Sequence, residues 1–258
     1  MITAKALIFF KRNASFKTWE NRYKRSFIHE LYLEPLLSKM CGYEIIYVLH
    51  INKAGGTSFF EGIHRMRSRS NKVKLITMTH KFGIPNLPKR SKVALVIRSP
   101  ETRYASGFEH QFRKGYPDYN ASWSPQETLI FKEFKSFDQL VDGMNSKSVE
   151  KKALAESAWK HIAHLSNSYR HYLGSVTFLE NNLDRIVFIG EQEKLNEDWQ
   201  TFCEAFFRSD EGVSIGKRNA LGTQRTIKES HTKAIASVYP DEFLLYAILK
   251  NRKEQLLK

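Results

Sequence analysis

The sequence predicts an α/β protein built on a parallel β-sheet that is flanked by helices. Short, nearly continuous apolar runs of strand length alternate along the chain with longer segments of helical period, a pattern typical of parallel strands buried on both faces. The chain has 258 residues and 41% of them are hydrophobic, which suffices for one sizeable domain with a packed core. We therefore predict a single domain, 1–258, made of a peripheral basic and aromatic helical segment, 1–42, and an α/β core, 43–258.

The first predicted elements lead into a glycine-containing loop. In the N-terminal segment, the apolar residues from Phe27 to Leu31 have helical spacing, and Pro35 is expected to end or kink that helix. The run "YEIIYVLH", Tyr43 to His50, predicts a strand buried on both faces. Beyond the loop, Ser58 and Glu61 have the spacing of a capping box, which predicts a helix with Ser58 as its N-cap.

Two further strands follow in the middle of the chain. They are predicted by "VKLITM", Val73 to Met78, and by "KVALVI", Lys92 to Ile97. Ser99 is a good N-cap and Pro100 suits a first helical position, so a helix is expected to begin there. The turn-rich, aromatic stretch from Lys114 to Pro125 predicts an exposed loop or lid.

The C-terminal half predicts a similar alternation of helices and strands. Its elements are a long helix, Val149 to Leu173; two strands, "SVTFL" and "DRIVFIG"; a helix through Trp199, Phe202 and Phe206; a Gly-, Lys- and Arg-bearing loop, Gly212 to Thr226; and helical sequence from Lys228 to Lys250, interrupted near Pro240.

The charge balance favours anionic partners. The chain carries 41 Lys and Arg against 27 Asp and Glu, a formal charge of +14, which suits nucleotides, nucleic acid, an acidic membrane face or acidic glycans. Between Glu61 and Glu101 there are ten basic residues and no acidic one. A charge run is usually a solvated face, but two candidate anion sites bracket this one, so we interpret it as functional.

The cysteine content and hydropathy indicate a compartment. Cys41 and Cys203 are the only cysteines, so neither a disulfide framework nor a cysteine-based zinc site can be built, and a reducing environment is the simplest interpretation. No apolar run approaches the length of a membrane span, and "ALIFF" near the N-terminus is too short for a signal peptide. We expect a soluble, cytoplasmic protein.

The first candidate site is the loop "NKAGGTS" between the first strand and its helix. Glycines let the backbone approach phosphate oxygens, and a helix N-terminus offers N–H groups and the positive end of its dipole. Thr57 and Ser58 add hydroxyl donors, and Lys53 adds a cation. The Walker pattern places its Lys just before the Ser or Thr, whereas Lys53 precedes Gly55 and Gly56, so its ammonium can lie beside the bridging oxygen of a bound anion.

The second candidate site is "VIRSPETRYASGFEH". Arg98 ends a buried strand, where ligands of open α/β sheets bind. On the following helix Arg103, Ser106 and His110 share one face, so a guanidinium and a helix hydroxyl can form a second phosphate clamp. Two anion sites at neighbouring strand ends predict a ligand with phosphates at both ends.

Together these motifs resemble the PAPS-dependent sulfotransferases, and in particular the branch that sulfates carbohydrates. The residues that match the two family motifs are Lys53, Gly55, Gly56, Thr57 and Ser58 in the first and Arg98, Pro100, Arg103 and Ser106 in the second. The chain departs from the family at Ser99, where Asp is frequent, and at Asn52, where Pro is frequent. More loosely, "FIGEQEKLNEDWQTFCEAF" and "YPDEFLLY" resemble the family's late strand–helix unit and its C-terminal helix.

The resemblance implies a P-loop-like sulfotransferase fold and a division of roles. The Lys53 loop would hold the 5′-phosphosulfate of PAPS, Arg98 and Ser106 would hold the 3′-phosphate, and Lys53 would also stabilise the leaving oxygen. No metal is required. The residues expected to bind the cofactor are Lys53, Ala54, Gly55, Gly56, Thr57, Ser58, Arg98, Ser106 and, by position in a C-terminal loop that closes over the cofactor, Arg218 and Asn219, with Arg225 nearby.

The acceptor hydroxyl needs a general base. His80 follows the second strand, on the edge that carries both phosphate loops, and the resemblance favours a His in this region. His110, one turn beyond Ser106, is the competing candidate, and His50 can be a buried strand residue. His161, His164 and His171 suggest a polar helix face rather than a metal site, because no third ligand accompanies the first pair.

The predicted function is therefore transfer of the sulfuryl group from PAPS to a hydroxyl, on a carbohydrate or glycolipid. Nucleic acid is not an expected partner, and the basic N-terminal segment leaves room for peripheral contact with an anionic membrane. Two alternatives stay open. A P-loop kinase would need a Walker-type Lys and a Mg²⁺-holding Asp, and the sequence has neither in place. A non-catalytic binder of nucleic acid or anionic surfaces would use the net charge alone.

Overall fold

The computed structural model describes residues 34–66, 72–116, 120–207, 215 and 226–257. The chain divides into two compact units, Met1–Gly42 and Tyr43–Lys258. Helix α1, Glu34–Met40, belongs to the first unit. Pro35 lies in its first turn, where the missing N–H costs no helical hydrogen bond. The predicted helix around Phe27 to Leu31 lies outside the described residues.

The second unit contains a parallel four-stranded sheet, so the α/β prediction is confirmed. Its strands are β1 (Glu44–Val48), β2 (Val73–Thr77), β3 (Lys92–Ile97) and β4 (Ile186–Glu191). The spatial order is β2-β1-β3-β4, and each pair of neighbours is parallel. Burial of successive residues along β1, β3 and β4 explains why they read as continuous apolar runs.

One of the five predicted strands, the fourth along the chain, is wrong. The segment "SVTFL" forms a short helix, Val176–Glu180, which we label α9, and not a strand. Gly174, with φ of 83°, ends the preceding helix, and the Ser175 hydroxyl accepts a hydrogen bond of 3.2 Å from Phe178 N. A local cap therefore overrides the β propensity of Val176 and Thr177.

The helices flank the sheet in chain order. They are α2 (Gly56–Met66), α3 (Pro100–Phe112), α4 (Pro125–Glu133), α5 (Phe137–Met144), α6 (Val149–His161), α7 (Ala163–Ser166), α8 (Tyr169–Leu173), α9 (Val176–Glu180), α10 (Leu195–Phe206), α11 (Glu229–Val238) and α12 (Glu242–Leu256). Short 3₁₀ turns lie at Ile84–Asn86, Leu183–Arg185 and Gln192–Lys194.

The predicted long helix from Val149 to Leu173 is broken into three pieces, α6, α7 and α8. Ile162 and Asn167 adopt extended backbone angles and separate them. The break before α8 is held by a tertiary contact, because Tyr169 N donates 2.8 Å to the buried carboxylate of Glu242. The 3.6-residue period of the sequence does not reveal this break, since α6, α7 and α8 all bury apolar residues.

The start of α2 also differs from the prediction. The helix begins at Gly56, and Phe59 N donates 3.3 Å to the carbonyl of Gly55. Ser58 is therefore a buried residue of the first turn and not the N-cap, so the proposed capping box with Glu61 is wrong. By contrast, the predicted start of α3 is confirmed, with Ser99 as N-cap and Pro100 in the first turn.

Two apolar clusters fix these elements. On one face of the sheet, α2 and α10 pack through aromatic residues, with ring centroids of Phe59 and Phe202 4.7 Å apart and those of Phe59 and Trp199 5.2 Å apart. A second cluster joins α3 to α6 and α11, and includes Tyr104 and Trp159. The predicted helix through Trp199 and the predicted interruption near Pro240 are both confirmed.

The stretch predicted as a loop or lid is partly packed. Residues 117–119 lie outside the described ranges, and Tyr116 is exposed. Trp123 donates 2.9 Å from Nε1 to the carbonyl of Gln111 and packs against Phe131. Of the helices in the described ranges, none has both the length and the apolar composition of a bilayer span. Cys41 is exposed, Cys203 is buried, and neither forms a disulfide.

Candidate active site

The strand order creates a crevice at the carboxyl edge of the sheet. From β1 the chain crosses to β2 on one side, while β3 lies on the other side, so the carboxyl ends of β1 and β3 flank a topological switch point. The loop after β1 carries Lys53, and the residue after β3 is Arg98. Arg98 Nη1 donates a 3.1 Å hydrogen bond to the carbonyl of Lys53. The structure therefore brings the two predicted anion motifs into direct contact.

The loop after β1 has a strained, glycine-dependent backbone. Lys53 has φ of 59°, a left-handed conformation that is uncommon for a residue with a side chain, and Gly55 has φ of 89°. At Gly56 a Cβ atom would lie 2.3 Å from Cδ2 of His50, so no larger residue fits unless His50 moves. Strain of this kind persists where the surroundings enforce it, and it is concentrated at functional sites.

The loop delivers the chain directly into α2. Because the helix begins at Gly56, the N–H groups of its first turn have no partner within the helix and form the positive end of its dipole. Ala54 is buried beneath the loop, Thr57 is exposed, and Lys53 is half-buried. The backbone of the predicted phosphate loop thus has the features of an anion-binding helix N-terminus.

Arg98 is held rigidly at the end of β3. Its Nε donates 3.0 Å to Thr102 Oγ1, in addition to the bond to Lys53. The Tyr169 hydroxyl accepts 3.0 Å from Arg98 N and donates 2.6 Å to Arg98 O. The guanidinium of Arg98 is therefore fixed against the phosphate loop, and its backbone is fixed against Tyr169.

Arg103 has a different role from the one its motif suggests. Its side chain is fully buried, forms an ion pair with Glu242, and donates 3.0 Å from Nη1 to Asn167 O. Its guanidinium also stacks on the rings of Tyr104 and Tyr169, 4.2 and 4.8 Å from their centroids. Burial alone would lower the pKa of Arg103, but Tyr104 and Glu242 raise it overall, so the cation is permanent. Arg103 is a structural link between α3 and α12.

Ser106 and His110 lie further along α3. Ser106 is half-buried in the middle of the helix. His110 is 4% exposed, and its ring lies 5.0 Å from that of His164 on α7 in an edge-to-face arrangement. Of the two histidines considered as base, His110 is thus packed between helices, whereas His80 lies in the turn that follows β2.

His80 is poised as a neutral imidazole. Its Nδ1 lies 3.0 Å from the carbonyl of His50, and because a carbonyl only accepts, Nδ1 carries the proton. Nε2 then holds a lone pair. Burial lowers the pKa of His80, the bond to His50 opposes this, and the charges of Lys53 and His171 lower it further. A proton-accepting imidazole nitrogen is therefore present at neutral pH.

His50 and His164 complete a group of neutral histidines. The His50 ring lies 3.8 Å from that of His80, and burial, followed by His80 and Lys53, lowers its pKa well below the usual value. Both ring nitrogens of His164 are buried without a hydrogen-bond partner, and its pKa is lowered mainly by burial and then by Lys53. For His164 the predicted polar helix face is wrong, whereas His161 and His171 are exposed.

No metal centre is built from these side chains. Within the described ranges, no group of three or more His, Cys, Asp or Glu residues could hold a metal ion. Glu191, the carboxylate that ends β4, is buried, and its oxygens lie 2.5 Å from Lys250 Nζ and 2.9 Å from Lys253 Nζ. Burial would raise the pKa of Glu191, but hydrogen bonds from the two lysines outweigh it and lower the pKa.

The basic interval is split between the two edges of the sheet. Lys81 and Arg98 follow strands at the carboxyl edge. Five basic residues lie instead at the strand starts or in the turns before them, at the amino edge: Lys72, Lys74, Lys89, Arg90 and Lys92. Consecutive cations of the run are therefore carried to opposite ends of the strands and do not form one surface. Arg67, Arg69, Arg218, Asn219 and Arg225 lie outside the described residues.

The sequence did not reveal the residues that support the segments after β1 and β3. The sequence predicts helical sequence around Tyr169, Tyr172 and Glu242 but no role for them in the site. In the structure Tyr169 binds Arg98, Tyr172 accepts 3.3 Å from Asn52 N, and Glu242 binds Tyr169. The available signal was a pair of hydroxyl-bearing aromatics at i and i+3 on either side of His171. Fully buried tyrosines need hydrogen-bond partners, which the strand ends supply.

Comparison with known proteins does not identify a function, so the functional argument rests on the geometry of the site. No protein-family description, no curated protein and no solved structure matches the chain. What supports a function is the contact between the two anion motifs, the neutral histidines beside them and the resemblance carried by the motif residues.

Proposed function

We propose that this protein is a PAPS-dependent sulfotransferase with a P-loop-like sulfotransferase fold. It transfers the sulfuryl group of PAPS to a hydroxyl group of a carbohydrate or glycolipid in the cytoplasm. It needs no metal ion. The proposal places the 5′-phosphosulfate at the loop from Lys53 to Ser58 and the 3′-phosphate near Arg98 and Ser106.

One observation carries the proposal, the hydrogen bond between Arg98 Nη1 and the carbonyl of Lys53. The two residues are 45 positions apart in sequence and come from different strands, yet their motifs meet at the sheet's switch point. A ligand with one phosphate group at each motif can therefore be held by a single crevice. The bond also links the two motifs mechanically, so loss of Arg98 is expected to loosen the loop as well as to weaken phosphate binding.

The chemistry proposed for Lys53 is electrostatic. Transfer forms a bond between the acceptor oxygen and sulfur and breaks the bond between sulfur and the 5′-phosphate oxygen, on which negative charge develops. Lys53, together with the N–H groups at the start of α2, would stabilise that charge. Preorganised donors of this kind are worth much more in a water-poor crevice than in water, and in-line positioning supplies most of the remaining rate.

The chemistry proposed for His80 is proton transfer. Its unprotonated Nε2 would accept the proton of the acceptor hydroxyl as the oxygen–sulfur bond forms. The bond from Nδ1 to the carbonyl of His50 fixes the tautomer that this step needs. His110 is the less suitable base, because it is packed against His164.

The environment of Glu191 argues against the kinase alternative. A phosphoryl-transfer site needs a carboxylate that holds Mg²⁺ near the phosphates. Glu191 ends the strand next to β3, but Lys250 and Lys253 pair with it. A non-catalytic anion binder would not need the His80 tautomer or the strained Lys53 backbone.

A ligand series tests the proposal. We expect adenosine 3′,5′-bisphosphate to raise the Tm more than ATP with Mg²⁺ or an oligonucleotide does, and labelled PAPS to transfer its sulfuryl group in a screen of glycan and glycolipid acceptors. A larger shift with ATP and Mg²⁺ would favour the kinase, and a response to the oligonucleotide alone would favour the non-catalytic binder.

A further inference from the structure

The short helix α8 contacts the carboxyl ends of three adjacent strands. Tyr169 bonds to both backbone groups of Arg98, the residue after β3, at 3.0 and 2.6 Å. Tyr172 accepts 3.3 Å from N of Asn52, in the loop after β1. His171 Nε2 donates 3.0 Å to the carbonyl of His80, in the turn after β2. One helix of five residues therefore touches the described segments that carry Lys53, His80 and Arg98.

The helix is itself anchored to the start of α12. Tyr169 N donates 2.8 Å to Glu242 Oε2, and Glu242 is ion-paired with buried Arg103. On the exposed side, Arg170 Nη1 lies 2.7 Å from Asp241 Oδ2. At the other end, a Cβ at Gly83 would lie 2.4 Å from the carbonyl of Tyr172, so the backbone of the turn after β2 lies directly against α8. Packing and charge together fix where α8 sits.

The contacts are polar and directed at the backbone, which distinguishes them from core packing. Phe in place of Tyr169 or Tyr172 would fill the same apolar space but would make none of the hydrogen bonds of the hydroxyl groups. His171 is exposed, so burial gives no reason for its orientation towards His80 O. At position 52 the chain has Asn, whose N–H donates to Tyr172, whereas Pro at this position would have no N–H to donate.

We propose that α8 is a positioning helix, in which Tyr169, Tyr172 and His171 hold Arg98, the phosphate loop and His80 in the relative geometry that the site requires. This inference rests on the proposed function for its readout. It assigns a separate duty to each residue: Tyr169 and Tyr172 act on nucleotide binding, and His171 acts on the base.

Single substitutions separate these duties. Tyr169→Phe and Tyr172→Phe each remove only a hydroxyl, and we expect them to weaken binding of adenosine 3′,5′-bisphosphate, measured by calorimetry, by about tenfold and about fivefold. Asn52→Pro should weaken the binding of the bisphosphate by about as much as Tyr172→Phe does. His171→Ala should leave this affinity within about twofold, because it touches neither phosphate motif.

The readout for His171 is the titration of the His80 ring, followed by NMR. His50 and Lys53 also face this ring, and the charge of His171 lowers its pKa. His171→Ala should therefore raise the titration midpoint of His80. His171→Gln keeps an amide donor for the carbonyl of His80 but carries no charge. In this variant the His80 signal should keep the line width of the wild type, while its titration midpoint should be raised as in His171→Ala.

Tyr239→Phe is the matched control. The Tyr239 hydroxyl donates 2.8 Å to Leu165 O in the helical cluster, away from the strand ends, so this variant should lower the Tm comparably without changing nucleotide affinity. The inference is overturned if Tyr239→Phe weakens binding as much as Tyr169→Phe and Tyr172→Phe do, or if the α8 variants bind like the wild type. If the wild type binds no bisphosphate, the proposed function fails, and an unchanged His80 midpoint in His171→Ala would then overturn the role of α8 separately.

Discussion

Both edges of the sheet carry cations, but the edges differ in how these cations are held. At the amino edge, Lys92 pairs with Glu44, and both side chains are about half exposed, at 49% and 48%. Arg185, before β4, donates hydrogen bonds to Ser91 and to the carbonyl of Pro88. At the carboxyl edge, Arg98 is hydrogen-bonded to the loop of Lys53. On the same edge, burial lowers the pKa values of His50 and His80, whose rings contact each other.

The difference shows that position in a parallel sheet, and not charge count, decides which cations are available for chemistry. β1 has five residues, so the two edges are about 17 Å apart. That distance exceeds the Debye length of about 8 Å at physiological ionic strength, so lysines at the amino edge contribute little to the field in the crevice. The predictions below test this contrast, beginning with the largest expected effect.

Lys53→Ala should have the largest effect. Under the proposed function, removal of the ammonium that would stabilise the leaving oxygen should lower the turnover of sulfuryl transfer by about a thousandfold, the upper range for loss of one preorganised donor. The rate is measured with labelled PAPS. Lys74→Ala, at the amino edge, is the matched control and should retain wild-type turnover; equal losses in both variants would remove the contrast between the edges.

Glu242→Gln should have the largest effect on stability. It leaves the Arg103 guanidinium buried without its counter-charge, which is expected to cost about 3 kcal/mol in the free energy of unfolding. Urea unfolding measures this cost. Arg170→Ala breaks the more exposed pair with Asp241 and should cost less than about 1 kcal/mol. A similar small cost for both would show that the Arg103–Glu242 pair does not anchor α8.

His80→Ala should lower turnover by about a hundredfold while the affinity for adenosine 3′,5′-bisphosphate is kept. His161→Ala, which removes an exposed histidine of α6, should change neither quantity. If turnover in His80→Ala equals that of the wild type, the base is another residue, and His110→Ala is then the variant to measure.

The pH profile sharpens the assignment of His80. Burial and the charges of Lys53 and His171 lower the pKa of this histidine, so the free base persists below the ordinary value of about 6.5. Turnover should thus be constant at neutral pH and fall only as the pH drops through the lowered pKa. In His171→Ala the fall should begin at higher pH. If the turnover of the wild type already falls at pH 6.5 or above as the pH is lowered, this account of His80 is contradicted.

The smallest effect is expected at the amino edge. Combined replacement of Lys72, Lys74 and Lys92 by Ala should change the affinity for adenosine 3′,5′-bisphosphate by less than about twofold, because these cations lie beyond the screening length from the crevice. Calorimetry at two salt concentrations measures it. A loss of tenfold or more would mean that the basic interval acts as one surface after all.

Sequence reasoning found the elements that position the site, for identifiable reasons. β1, β3 and β4 are buried apolar runs, and the Ser99-Pro100 start of α3 depends on local capping, so both leave a local signal. The adjacency of the Lys53 loop and Arg98 followed from the rule that ligands bind at the carboxyl ends of parallel strands.

What the sequence did not reveal depends on contacts between distant residues. Arg103 matches a phosphate motif but is turned into the core by Glu242, which is 139 positions away. The break before Tyr169 is held by the same carboxylate. Periodicity and motif spacing report on neighbours along the chain, so neither could show that one buried glutamate decides both features.

The central claim is that the ends of β1 and β3 form one site for a nucleotide with a phosphate at each end. The most direct test is calorimetric titration of the wild-type protein with adenosine 3′,5′-bisphosphate, adenosine 5′-monophosphate and adenosine 3′-monophosphate. We predict that the bisphosphate binds at least about a hundredfold more tightly than either monophosphate, because each motif adds a charge-assisted contact. Equal affinity for the three nucleotides, or no binding of the bisphosphate, would contradict the claim.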